Sequence, residues 1–344
     1  MISYDDSTLP DFSKKAKLIV FIISSTETIG MPTLTQLEYL VAVDQYRHFG
    51  KAAKACHVSQ PTLSMQLKKL EEEYQLTFFD RSKQPILPTR EGESLIAQAK
   101  TILREVGRLN HLSAHRSKAI SGELKLALIP TVAPYLLPLF LGSFAMKYPE
   151  LKVAIEELTT AQILEALERD QIDAAILATP LATDSLIERP LFYEPFELYI
   201  SADHPLARSQ QISEEKLDAK DLWLLTEGHC LRNQIVRICS LRGKPGIFPN
   251  VRFESGTLQT LIHLVEQGHG YTLLPWLATQ DISTSKRAVL RPFSKPVPSR
   301  EISLVSRRTQ YKKNILDALE TEIRASLPKE LPQERTKRIE VIRL

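Results

Sequence analysis

Past Gly122 the chain alternates short apolar runs with amphipathic stretches, and no other feature narrows the fold as much. "ELKLALI" reads as a buried strand and "YLLPLFLGSFAMKY" as a helix. "LKVAIEEL" is again a strand, "AQILEALERD" a helix and "DAAIL" a strand. Strands that alternate with helices of this length predict a doubly wound α/β arrangement with parallel strands. A second unit of the same kind starts at "FELYIS" and runs through "DLWLL", "NVRFES", a helix over 258–267 and "YTLLP". The later strand "EISLVS" and a helix over 312–325 are expected to return to the first unit. Two α/β lobes with a cleft between them result. Such lobes take ligands at the carboxyl ends of their strands, which is where Thr131 falls; Thr160 opens the helix after the next strand.

The segment before Gly122 has a different, purely helical period. Leu37, Leu40 and Val41 line one face, and "GKAAKAC" makes a short second helix. "HVS" interrupts it, Ser59 is an N-cap, and Pro61 sits in the first turn of a third helix. Leu63, Leu67, Leu70 and Tyr74 form its buried stripe, while Gln60, Thr62, Ser64, Gln66, Lys68 and Lys69 occupy the other sides. Two helices joined by a tight turn, the second polar at its start, describe a helix-turn-helix. Gln, Thr and Ser suit base edges, and lysines suit phosphates. Residues 32–118 contain 13 Lys/Arg and 9 Asp/Glu, so they hold all of the chain's excess positive charge of +3. A helical bundle with a solvated face fits the periodicity equally well. "FFDRSKQPILPTREG" reads as a β-wing whose turn offers Arg81 and Lys83 to phosphate, followed by a helix that Thr89 caps and that runs to about His115. Leu95, Ala99, Ile102, Val106 and Leu109 alternate spacings of four and three, a coiled-coil seam that asks for a second copy.

"FGKAAKACHVSQPTLSMQLKKLEEEYQLTFFDRS", followed by "LPTREG", resembles the DNA-binding domain of LysR-type transcriptional regulators. The resemblance implies a winged helix-turn-helix, a long dimerising linker helix and a two-lobed effector domain. It also implies double-stranded operator DNA, RNA polymerase and further copies of the chain as partners, in dimers that pair to a tetramer. The expected divisions are an N-terminal extension over 1–31, the winged domain over 32–89, the linker over 90–121, the effector domain over 122–327 and a charged tail over 328–344. Three cysteines in 344 residues are too few for a disulfide framework and point to a reducing, cytoplasmic setting. No apolar run approaches the roughly 18 residues of a membrane span. The run over 18–23 is shorter than the roughly 7–15 apolar residues of a signal peptide.

Two of the cysteines bracket one short helix, "HCLRNQIVRIC". Nine steps of about 1.5 Å would separate the Cα atoms of Cys230 and Cys239 by roughly 13 Å and set them on opposite faces. A disulfide needs Cα atoms within about 7 Å, so these thiols bond only if the helix is lost. A helix N-terminus favours a thiolate, and His229 and Arg232 flank Cys230. Two ordinary buried thiols satisfy the same spacing. No GxGxxG, Walker or HExxH motif is present, and neither a metal site nor a cofactor is called for. A thiol peroxidase is the enzymatic rival, but it has no use for a DNA-binding domain.

"EGHCLRNQIVRIC", with "LIPTVAPYLLP" before it and "LLPWLA" after it, is similar to the peroxide-sensing members of the same family over residues 32 to about 327. That similarity implies an activator of oxidative-stress genes with hydrogen peroxide as its signal. It makes Cys230 the peroxidatic and Cys239 the resolving cysteine, with Thr131, Thr160, His229 and Arg300 around the thiol. Asn233 departs from the pattern, which has Asp there. A LysR-type regulator that binds a small metabolite between its lobes is the other reading.

Overall fold

A computed structural model describes residues 31–114, 120–181, 183–239, 256–280, 282 and 287–343. The N-terminal extension and the expected strand over 250–255 fall outside these residues. The chain divides near residue 112 into two compact units.

In the first unit, α1 (Leu34–Tyr46), α2 (Phe49–Ala55) and α3 (Gln60–Tyr74) precede a two-stranded wing and a long helix. Thr33 starts α1 with a capping box: its hydroxyl accepts from the Gln36 amide, and the Gln36 side chain accepts from the Thr33 amide at 2.9 Å. Ser59 caps α3, as its sequence position predicts, by accepting from the Thr62 amide at 3.2 Å. Leu63, Leu67 and Leu70 from α3 are buried with Leu40, Val43 and Ala52 beneath the rings of Phe78 and Phe79. Cys56 is half-buried against this core. The wing pairs β1 (Phe79–Asp80) with β2 (Leu87–Pro88), antiparallel. Thr89 then caps α4 (Arg90–Ala114), accepting from the Gly92 amide at 2.9 Å and donating to the Thr77 carbonyl at 2.6 Å. Gly92 is required by close approach, because a Cβ there would run into the Phe78 carbonyl.

The second unit has strands β3 (Gly122–Leu128), β4 (Leu151–Glu157), β5 (Ala174–Thr179), β6 (Leu186–Ser201), β7 (Tyr271–Pro275), β8 (Ala288–Pro292), β9 (Val297–Arg307) and β10 (Ile339–Val341). The order is β4-β3-β5-β9-β6-β7, with β10 on β9 and β8 on β6. The expected two-lobed α/β architecture is present, but its sheet is mixed. Strands β4, β3 and β5 are parallel, whereas β9 runs antiparallel to β5 and β6, and β6 antiparallel to β7 and β8. The sequence reading missed this because two long strands, β6 and β9, cross between the lobes in opposite directions. Helices α5 (Ala133–Lys147), α6 (Thr160–Glu168) and α10 (Lys313–Ser326) belong to the first lobe. Helices α7 (Cys230–Ile238) and α8 (Leu258–Glu266) belong chiefly to the second, and α9 (Trp276–Thr279) follows β7.

The segment read as a charged tail is built into the fold over its described residues. Leu331 is buried with the first lobe and Ile342 with the second. Strand β10 pairs in parallel with the start of β9, and the Ile342 amide donates to the Ser299 carbonyl at 2.9 Å. Its charge pattern hid the few apolar residues that anchor it. Among the described residues, no helix is long and apolar enough to cross a membrane.

Candidate functional site

The thiol helix α7 has an apolar face of Leu231, Ile235 and Ile238, buried with Cys239 in the core of the second lobe. Cys230, its first residue, is buried in the core of the first lobe instead. One short helix therefore sets its two thiols in two different cores, the separation that its spacing predicts. His229 is the N-cap residue, and Gly228 before it has φ +94°, a left-handed conformation that glycine adopts without strain. All three described cysteines are free thiols.

Thr160 of α6, Ala178 of β5 and Arg300 of β9 act on Cys230 from the first lobe. Arg300 of β9 and Glu194 of β6 face each other in register on adjacent antiparallel strands. Both side chains are fully buried. Arg300 Nε and Nη2 each lie 2.8 Å from Glu194 Oε2, and Glu194 Oε1 accepts from the Leu277 amide at 2.8 Å. The outer edge of the guanidinium turns to Thr131: Nη1 donates to its Oγ1 and Nη2 to its carbonyl, both at 3.0 Å. Thr131 Oγ1 thus already accepts one bond, so its own proton is available to a further acceptor. Thr160, first residue of α6, brings a buried hydroxyl close enough to favour the Cys230 thiolate, yet that oxygen has no well-formed hydrogen bond.

Burial nevertheless pushes the Cys230 thiol above its ordinary pKa; the Thr160 hydroxyl, the Arg300 charge and the backbone groups of Leu231 and Ala178 offset this only in part. Desolvation thus outweighs the help that the helix N-terminus gives a thiolate. Burial also lowers the pKa of His229, which is therefore neutral at pH 7. Cys239 is pushed up to about 12, first by burial and then by Glu214. Asn233 lies exposed on α7, one turn after Cys230. Arg232 donates to the Leu225 carbonyl at 2.9 Å. Thr160 and Arg300 thus act on Cys230, Thr131 joins them through Arg300, His229 adjoins Cys230 as the N-cap residue, and Cys239 stands apart. Glu194 was missed; its one signal in the sequence is a carboxylate within the apolar run "LFYEPFELYI".

On the first unit, Gln60, Pro61, Met65, Lys68 and Lys69 are exposed on α3. Thr62 is engaged with Ser59, their hydroxyls 2.7 Å apart, and Gln66 accepts from Gln36 at 3.3 Å. Ser64 is half-buried. Arg81 is less free than its place in the wing suggests: it donates to Glu71 at 2.8 Å and lies 5.0 Å over the Phe49 ring. Glu71 also accepts from the Phe78 amide at 2.8 Å, so Arg81 braces the base of the wing. Lys83 remains exposed, with only a loose pairing to Asp80 at 3.7 Å. Along α4, Ala99 is buried in its own domain core together with Ile96, and Leu95 and Ile102 pack against the same core. Val106 is half-buried, and Leu109 is 67% exposed. The apolar seam is therefore divided, its first half used within the chain.

Two family models match: "Bacterial regulatory helix-turn-helix protein, lysR family" over 34–93 and "LysR substrate binding domain" over 117–328. The chain is 38% identical over 299 residues to the "Hydrogen peroxide-inducible genes activator" of Haemophilus influenzae, covering 86% of this chain and 98% of that protein. It is also 38% identical to the "DNA-binding transcriptional dual regulator OxyR" of Escherichia coli K12, covering 86% and 95%. Among solved structures, a full-length OxyR from Pseudomonas aeruginosa with a cysteine-to-aspartate change superposes with a TM-score of 0.71 at 34% identity, covering 86% of this chain and 98% of that one. A Corynebacterium glutamicum OxyR variant with hydrogen peroxide bound gives 0.57 at 30%, covering 86% and 93%. With both domain models matched and relatives aligned along nearly their whole length, the chain belongs to the LysR family of bacterial transcription regulators and, within it, to the OxyR hydrogen peroxide-inducible gene activators.

Proposed function

We propose that this chain is a cytoplasmic, operator-binding regulator whose DNA-bound form is switched by hydrogen peroxide through Cys230 and Cys239. One observation carries the reading: Cys230 is buried in the first lobe with Thr160 and the Thr131-bonded Arg300 acting on it, while Cys239 is held in the core of the second.

In the first step Cys230 loses its proton, and its sulfur attacks one peroxide oxygen. The O–O bond breaks, the other oxygen leaves as water with that proton, and Cys230 becomes a sulfenic acid. The unsatisfied Thr160 hydroxyl and the free proton of Thr131 are suited to hold the peroxide, and Arg300 supports the departing oxygen through Thr131. His229, neutral at pH 7, adds no charge. In the second step the Cys239 thiol gives up its proton and its sulfur attacks the Cys230 sulfur, the S–O bond breaks, the hydroxyl leaves as water with that proton, and a disulfide forms. The protein supplies two electrons and the peroxide takes them.

Helix geometry makes the second step conformational. Cα atoms roughly 13 Å apart along α7 must come within about 7 Å, so the helix unwinds. Leaving Leu231, Ile235 and Ile238 in water would cost roughly 5–9 kcal/mol, so they must find new burial. The lobes then repack, and the change passes to the DNA-binding units of an oligomer. Operator DNA, further copies of the chain and RNA polymerase are the partners this implies, and the protein consumes peroxide as a signal rather than turning it over.

Thiol titration with mass spectrometry after micromolar peroxide tests the reading. The wild type should lose two thiols and gain a 230–239 disulfide, with hydrogen-exchange protection lost over 229–239. Cys230→Ser should be unresponsive, and Cys239→Ser should accumulate sulfenic acid or over-oxidise. Equal protection in both states, or no such disulfide, would transfer the assignment to a metabolite-responsive regulator.

A further inference from the structure

Arg300 is the charged group nearest in influence to Cys230, yet the thiol is not drawn down to a thiolate. Burial is the larger cause, and the pairing of Arg300 with Glu194 limits how far the guanidinium can offset it. We infer that Glu194 is the positioning residue of the peroxide-reactive site: it neutralises Arg300 and aims its outer edge at Thr131, so that the guanidinium presents no uncompensated charge to Cys230. This rests on the reading of Cys230 as the reactive cysteine.

The geometry is that of a closed ion pair. Two guanidinium nitrogens lie 2.8 Å from one carboxylate oxygen, and the other oxygen is tied to the Leu277 amide at 2.8 Å. Both side chains are fully buried, so water does not screen the pair and neither charge is left uncompensated. Register fixes it further, because Glu194 and Arg300 are cross-strand partners on β6 and β9. With its Nε edge held, the guanidinium has only its Nη edge left for Thr131.

Among the described residues, the other groups that act most on Cys230 carry no net charge: the Thr160 hydroxyl of α6, the Ala178 backbone of β5 and the Leu231 backbone of α7. His229 is neutral at pH 7, and the Arg232 guanidinium is directed at the Leu225 carbonyl. Glu194 therefore decides whether the site presents a net positive charge. A thiolate is the nucleophilic form of cysteine. A site kept neutral spares Cys230 from indiscriminate electrophiles and reserves reaction for a molecule that the threonine hydroxyls can hold.

The experiment is an iodoacetamide-labelling pH profile of reduced full-length protein carrying Cys56→Ser and Cys239→Ser, so that only Cys230 is labelled. Adding Glu194→Gln should lower the midpoint by at least about one pH unit, which is roughly tenfold faster labelling near neutral pH, with the limiting rate at high pH unchanged. Glu194→Asp should keep the original midpoint. A merely loosened site would raise the limiting rate and leave the midpoint in place. That result, or an unchanged or raised midpoint in folded Glu194→Gln, overturns the inference. If Glu194→Gln alone does not fold, the neutral pair Glu194→Gln with Arg300→Gln decides. Its midpoint should stay within about half a unit of the original, and a rise of a unit or more means that Arg300 was never neutralised. No peroxide is used, so loss of the 230–239 disulfide would sink the proposed function and leave this result standing.

Discussion

At the scale of single residues, the candidate site is defined by what is left unsatisfied and what is over-satisfied. Glu194 and Arg300 use nearly all their bonding capacity on each other, Leu277 and Thr131. Thr160 keeps a buried hydroxyl with no well-formed bond, an arrangement that costs about 1–3 kcal/mol unless function retains it. Thr160→Val should therefore raise the thermal midpoint of the effector unit by roughly 2–4 °C per kcal/mol recovered, while slowing peroxide oxidation about tenfold or more. Calorimetry and stopped-flow oxidation check the two halves, and a variant that oxidises at the wild-type rate removes Thr160 from the site. Cys239 permits a test by pH. Its folded pKa of about 12 lies above the ordinary value of 9.0 that an unfolded chain would show. Between these values the unfolded chain has lost the proton that the folded chain keeps. The stabilising contribution is fully present below about pH 9 and is lost as pH rises towards about 12, at up to about 1.4 kcal/mol per pH unit. Denaturant titrations at pH 8 and 10 should show that Cys239→Ala loses less stability over this interval than the wild type.

Among the secondary-structure elements, α3 and α7 illustrate how far a helix can be read locally. Ser59, Pro61 and the leucine stripe specify α3 without help from distant residues. The wing behind it depends on tertiary contacts, because Arg81 reaches Glu71 and the Phe49 ring. Arg81→Ala should lower the stability of the first unit by about 1 kcal/mol, since it removes both a partly buried ion pair and a cation–π contact. It should also weaken binding to operator and random DNA alike. Lys83→Ala, which lacks these partners, should reduce the salt dependence of binding by about one phosphate contact and leave stability unchanged. Chemical denaturation with salt-dependent binding curves separates the two variants; equal stability in both would mean that the Arg81 brace contributes nothing.

For the whole molecule, the apolar residues of α4 divide between inside and outside. Ala99 is buried in the winged domain, whereas Leu109 is 67% exposed. Leu109→Asp should yield a monomer in light scattering with the circular dichroism of the wild type. Ala99→Asp should instead unfold the first unit. A wild-type protein already monomeric at micromolar concentration would end the proposal of an oligomer built along this helix.

What the sequence determined by itself was whatever short-range physics governs: the helix-turn-helix, the alternating α/β order, and the placing of two thiols at opposite ends of one helix. Caps, turns and the 3.6-residue period act within a few positions, so they are legible without a fold. Tertiary structure alone decided that Cys230 would be buried in a lobe other than that of its own helix, since this depends on how α7 packs rather than on its pattern. It decided the Glu194–Arg300 pair, whose members lie 106 residues apart and meet through the register of two crossing strands. It also joined the charged C-terminal segment to the thiol helix, with Gln234 of α7 donating to the Ile342 carbonyl at 3.0 Å. Such pairings arise from strand register and lobe closure, which have no local signature. The balance that keeps Cys230 a thiol is of the same kind, because desolvation depends on every atom around the sulfur and on none of its sequence neighbours alone.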